Sequence, residues 1–163
     1  MNEGPLALSS PRWSELTQAF GTAEDVPRLL ASLATAQDER ERAELWYGVA
    51  ATLCPGGRVF SASYAAAPHL LSITADMALA ERVVAVQLVS EIEVARHEVG
   101  TPAIPGDVLL AYAHAIESLP AVVAELAAVS WDEGTAQLMS AALAVGKRQP
   151  ALARRIMALG DAG

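Results

Sequence analysis

One short motif recurs three times in this chain: an apolar residue, a proline, one free position and two aliphatic residues. The copies are Val26-Pro27-Arg28-Leu29-Leu30, Ala67-Pro68-His69-Leu70-Leu71 and Leu119-Pro120-Ala121-Val122-Val123, with their prolines 41 and 52 positions apart. An apolar segment of helical period follows each copy, then an acidic turn, then a second helical segment. Recurrence at this spacing predicts helix pairs stacked in series, each covering an apolar flank that its neighbour cannot bury alone. Composition agrees: 53% of the residues are hydrophobic, mostly Ala and Leu, and only 5% are aromatic. Such a mixture suits close helix packing better than strand pairing, which favours β-branched and aromatic side chains. At 163 residues the length fits one domain over 1–163, with 1–10 read as a flexible lead.

Start and stop signals divide the chain further. Ser10 before Pro11 predicts a first helix over 12–20 with Trp13, Leu16 and Phe20 facing inward, ended by Gly21. Thr22 with Asp25 reads as a capping box for the next helix. The pairs expected are 24–36 with 38–54, 58–75 with 79–97, and 107–129 with 131–145. Asp38 opens the second helix of the first pair and Pro55-Gly56-Gly57 closes it. Pro68 should bend its helix, and Pro120 should bend or break the one that Asp107 caps. Ser130 with Glu133 forms a further capping box, Gly146 ends that helix, and a basic helix over 149–159 closes the stack. No segment reads as a strand.

Several stretches carry a family likeness. The proline bend in the first helix of a pair, the acidic turn and an arginine early in the second helix (Arg42, Arg82) resemble HEAT repeats. More narrowly, the chain resembles a group of bacterial HEAT-like proteins through Trp13 to Leu16 with Phe20-Gly21, Gly57 to Leu71, Ile92-Glu93 with Arg96, and Asp107 to Pro120 with Tyr112. A His-Gln pair often precedes the glycine at Gly57 in that group; Pro55-Gly56 stands here. The resemblance implies an all-α fold, a right-handed α-α superhelix of HEAT/armadillo type with about three helix pairs and capping helices. It implies a binding scaffold and carries no reaction with it.

Charge narrows the partners. The formal net charge is −8, which disfavours nucleic acid, since phosphate must be neutralised by basic side chains. The short basic set Lys147, Arg148, Arg154 and Arg155 is the only feature pointing the other way. No run reaches the roughly 18 uninterrupted apolar residues of a membrane span, and the first ten residues lack the pattern of a secretion signal. A single cysteine, Cys54, excludes an internal disulfide, so a cytoplasmic protein is expected.

Seven residues are candidates for a binding site: Arg58, Tyr64, His69, Glu93, Arg96, His97 and Tyr112. Glu93 and His97 lie four apart on one helical face, a spacing that can share a metal. A third ligand would have to come from His69 or His114, so no metal and no cofactor are expected. The plainer reading is an ion pair of Glu93 with Arg96 or His97, and a buried Glu93 would need such a partner. Tyr64 and His69 flank the alanine run 65–67 and could edge a groove; Tyr112 reads the same way. Gly56-Gly57-Arg58 before a helix could hold an anion, although a plain turn explains it equally. No nucleophile–base pattern is present, and Cys54 reads as a buried thiol.

The expected function is therefore non-catalytic binding of a protein partner, an adaptor, regulator or antitoxin-like inhibitor. The second helices carry Glu41, Glu44, Glu91, Glu93, Asp132 and Glu133, an acidic concave wall suited to a basic partner. The alternative is a small-molecule pocket or small enzyme with its site between the helices of 58–75 and 79–97.

Overall fold

The computed structural model describes residues 3–162. Seven α-helices carry the fold: α1 Val26–Thr35, α2 Glu39–Leu53, α3 Ser61–Thr74, α4 Leu79–Arg96, α5 Leu109–Leu126, α6 Glu133–Gly146 and α7 Pro150–Ala158. The protein is all-α but for one antiparallel ribbon, β1 Thr17–Gln18 against β2 Gly21–Thr22.

Local chemistry sets several of the helix ends. The Asp38 carboxylate accepts the Arg40 N–H at 3.0 Å, and Glu39 and Glu41 follow in the first turn of α2, where the helix dipole favours them. Gly56 and Gly57 take φ of 58° and 77°, which turns the chain out of α2. Ser63 joins α2 to α3: its hydroxyl accepts the Phe60 N–H at 2.9 Å and donates to the Leu53 carbonyl at 2.5 Å. Pro27 sits in the first turn of α1, where its missing N–H costs no helical bond.

Each helix packs on at least two others. α1 lies on α2 and α3, and α3 on α4 and α5; α6 lies on both α4 and α5, and α7 closes on α6 and α4. The three proline motifs fall on α1, α3 and α5. The residue before each proline (Val26, Ala67, Leu119) is buried, and so is the sixth residue after it (Leu33, Thr74, Leu126). These positions are two helical turns apart and mark one face. On α3 the buried Ala62, Ala65, Ala66 and Ala67 let neighbouring helices approach closely. On α4 the buried set is Ala85, Val86, Leu88, Val89, Ile92 and Val94.

The start of the chain departs from expectation. Pro11–Glu15 is a 3-10 turn and the ribbon follows, in place of a helix over 12–20 and against the expectation of no strand. Trp13 and Leu16 are buried, but Phe20 is 78% exposed. Backbone donors here find partners other than helical ones. Ala19 N–H donates to the Thr52 carbonyl at 3.1 Å, Ala23 N–H to Leu16 at 2.9 Å, and Thr17 N–H to Ser61 Oγ at 2.8 Å. Thr22 is consequently in β2, and α1 begins after Asp25 without a side-chain cap. Leu6 and Leu8 pack against the core, and the Ala7 carbonyl accepts the Trp13 indole N–H at 2.9 Å.

Two other caps differ. Asp107 does not cap α5; its carboxylate accepts bonds of 2.8 and 3.3 Å from Arg12, and the helix starts at Leu109. Asp132, not Ser130, caps α6, accepting the Thr135 N–H at 2.7 Å. Helix α5 also runs unbroken through Pro120.

Gly146 shows how α5 and α6 come together. A Cβ there would stand 2.4 Å from Pro120 Cδ and 3.4 Å from the Ile116 carbonyl oxygen. Pro120 has no N–H to offer Ile116, four residues back, and the bare α carbon of Gly146 fits against that spot. Gly146→Ala is expected to cost about 1–3 kcal/mol in chemical denaturation, as overpacking does. Adding Pro120→Ala should recover most of the loss; two additive costs would show that the two residues do not meet.

Candidate functional site

Four of the seven candidate residues converge. Glu93 faces inward from α4 and is only 7% exposed. Arg96, one turn further on, grips its carboxylate with both Nε and Nη2, at 2.8 and 2.7 Å. Tyr112 on α5 donates its hydroxyl to Glu93 Oε2 at 2.7 Å. His97 Nε2 lies 3.2 Å from Glu93 Oε1 and, with its proton on that nitrogen, donates to it. Tyr64 on α3 adds a fifth candidate: its ring meets Tyr112 edge-on at 5.1 Å, and its hydroxyl donates to the Pro102 carbonyl at 2.7 Å.

The electrostatics follow from these contacts. Burial is the largest influence on Glu93 and would raise its pKa, but the hydrogen bonds from Arg96, Tyr112 and His97 and the Arg96 charge together hold it below 4.5. Burial and then the Glu93 charge push the Tyr112 hydroxyl far above its ordinary value. Burial also takes Tyr64 up to about 12. Both tyrosines are therefore neutral donors at physiological pH.

This cluster forms one wall of a cleft of about 450 Å³. Its apolar walls are Ile104, Leu109, Ile116 and Val145, and Glu117 and Arg148 face each other at 3.0 Å. The cleft is bounded by α4, α5, the 97–108 loop and the turn from α6 to α7. It does not lie between the helices of 58–75 and 79–97, where the alternative reading expected a pocket; there the alanines of α3 and the apolar face of α4 are packed together.

The other two candidates stand apart from the cluster. His69 Nε2 bonds the Leu6 carbonyl at 2.7 Å and its ring lies 6.2 Å from Trp13, so it fastens the N-terminal segment. Arg58 lies over the Phe60 ring at 5.8 Å. Gly56 and Gly57 border a separate hollow of about 610 Å³ with Cys54, Glu91, Glu98 and Arg154. Glu98 is paired with Arg154 there. Burial, and then the Glu91 charge, take the Cys54 thiol up to about 11, which leaves it protonated and unreactive. Among the described residues no group of three His, Cys, Asp or Glu side chains is placed to hold a metal; Arg96 occupies the space beside Glu93 and His97.

Sequence reasoning missed Glu117 and the apolar wall, and named Arg148 only within a basic set pointing to nucleic acid. Arg148 left a trace in retrospect: it stands directly after Gly146-Lys147, where a helix ends. No family model, no curated protein and no solved structure matches the chain.

Two measurements test the cluster. Tyr112→Phe removes one donor from a buried carboxylate and is expected to cost about 1–2 kcal/mol. Arg96→Met leaves that charge uncompensated and is expected to cost roughly 3 kcal/mol, much of it recovered by adding Glu93→Gln. The pH dependence has a definite sign. A carboxylate whose folded pKa is depressed stabilises the fold fully above its unfolded value of 4.5 and loses that contribution as pH falls through the lower folded value. Urea melts from pH 7 to 3 should show this acid loss in the parent and a flatter profile in Glu93→Gln. Equal slopes would remove Glu93 from the account.

Proposed function

We propose that the protein is a non-catalytic binding protein on a HEAT-like stack of helix pairs, and that it recognises its ligand in the cleft beside Glu93. The repeated burial pattern around Pro27, Pro68 and Pro120, with α3 packed against both α1 and α5, supports stacking of the helix pairs in series; the right-handed superhelix is what the HEAT resemblance implies. The cleft itself carries the functional reading. It has the size and mostly apolar lining of a ligand site, with a few polar groups converging on it.

The chemistry of the groups speaks for binding over catalysis. A general base needs a free lone pair and a pKa near the working pH. Each Glu93 oxygen already faces two donors, and its pKa is lowered. The Tyr112 hydroxyl is committed to that carboxylate, and the Cys54 thiol lies elsewhere, protonated.

Binding to a basic protein partner through an acidic wall is supported less well. Of the six acids on the second helices, Glu93 is neutralised inside. Glu44 pairs with Arg40, and Asp132 is used as a cap. Glu91 is half-buried and accepts a bond from Gln87, and Glu41 and Glu133 are exposed.

Ala113 lines the cleft and is partly exposed, so a large side chain there fills the cleft from its own wall. In a fragment screen followed by amide shifts, hits are expected to move Ile104, Leu109, Ile116 and Val145 together. Ala113→Trp should abolish those shifts with little change in melting temperature. Hits that cluster instead on α2, or that Ala113→Trp leaves intact, would refute the cleft as the recognition site.

A further inference from the structure

Arg148 sits in a backbone conformation that disfavours it. Its φ is 61°, at the residue where the chain leaves α6. The Gln149 N–H bonds the Ala144 carbonyl at 2.8 Å and the Arg148 N–H bonds Val145 at 3.0 Å, the closing pattern in which glycine is the usual occupant. An arginine kept at such a position calls for a use of its side chain. That side chain is 82% exposed at the cleft, and among the described residues its one bond is to Glu117, itself 52% exposed. A pair this exposed is readily exchanged.

A second guanidinium faces the same space. Arg96 spends Nε and Nη2 on Glu93 and leaves Nη1 out of that bidentate grip, with about a third of the side chain (32%) exposed. Its orientation is fixed in advance by a buried partner, which lowers the cost of receiving a ligand. Of the two acids lining the cleft, Glu93 is saturated, which leaves Glu117 as the single carboxylate for a cation to meet, against two guanidinium groups for an anion. The formal charges cancel in pairs, Glu93 with Arg96 and Glu117 with Arg148. Swinging Glu117 into solvent uncovers one positive charge beside an apolar wall.

Resting on the cleft reading above, we propose that the ligand is a small amphiphilic carboxylate. Its apolar body lies on Ile104, Leu109, Ile116 and Val145, and its head replaces Glu117 on Arg148, with Arg96 Nη1 as a second donor. The planar fork of a guanidinium matches a carboxylate in geometry as well as charge, and one uncovered charge matches a monoanion.

The test uses three probes of one chain length, octanoate, octanol and octylammonium, titrated by calorimetry and followed by amide shifts. Octanoate is expected to bind at least tenfold tighter than the other two, with shifts at Ile104, Leu109, Ile116 and Val145. Arg148→Gly should lose that preference tenfold or more while melting at or above the parent temperature, since glycine suits the backbone there. Glu117→Gln should tighten octanoate. If octanol binds the cleft as well as octanoate does, or Arg148→Gly keeps the preference, the carboxylate proposal fails and the cleft reading stands. If none of the three probes moves the cleft resonances, both fail.

Discussion

A single buried carboxylate organises one end of this molecule. Placing the Glu93 charge among helices is costly unless donors surround it, and the fold supplies them from two helices at once. Arg96 comes from the last turn of α4 and His97 from its C-cap; Tyr112 comes from α5. Tyr112 in turn receives the edge of Tyr64 from α3, and Tyr64 pins the 97–108 loop through the Pro102 carbonyl. Three helices and a loop are thereby referred to one point. Elsewhere the core is mostly Ala, Leu and Val, whose contacts have no preferred direction. A two-pronged arginine–carboxylate pair has one, because hydrogen bonds weaken steeply with distance and angle.

Much of the helix layout was legible because its signals are local. Asp38 before an acidic first turn and Pro55-Gly56-Gly57 after α2 each act within a few residues. The recurring proline motif was legible for a related reason: it marks a face, and helical spacing carries that face to the sixth residue beyond. The misreadings share another cause. Arg12 claims Asp107 across 95 positions, and Thr52 and Ser61 draw the backbone of 17–19 into a ribbon. Tertiary partners there outbid local propensity. At the start of α6 the Ser130–Glu133 spacing pointed to Ser130, whereas Asp132, two positions on, accepts the Thr135 N–H.

The candidate site was half legible. Glu93, Arg96 and His97 are helical neighbours, so their meeting follows from spacing. Tyr112 was singled out without a partner, since only packing of α5 on α4 brings it to Glu93. His69 was misleading because a histidine beside a run of alanines looks the same whether it edges a groove or holds a backbone carbonyl. The cleft was displaced from its expected place for a steric reason. Small residues on α3 close the gap that was expected to stay open. The opening arises instead where helices stop.

That last point also explains the chemistry of the cleft. α4 and α6 end there, and α5 and α7 begin there. Helix bodies can interdigitate along their length, but four termini meeting at one place cannot, and the loops between them leave a hollow. The C-terminal ends of α4 and α6 present carbonyl groups and partial negative charge, which favours cations in the last turn and just beyond. Arg96 and His97 stand at the end of α4, and Lys147 and Arg148 at the end of α6. Helix polarity therefore accounts for cations gathering on this side of an acidic protein. It does not account for an arginine where the backbone asks for glycine, and the cap would close as well without that side chain. The difference between those two demands is why Arg148 is the residue that we propose meets the ligand's charged head.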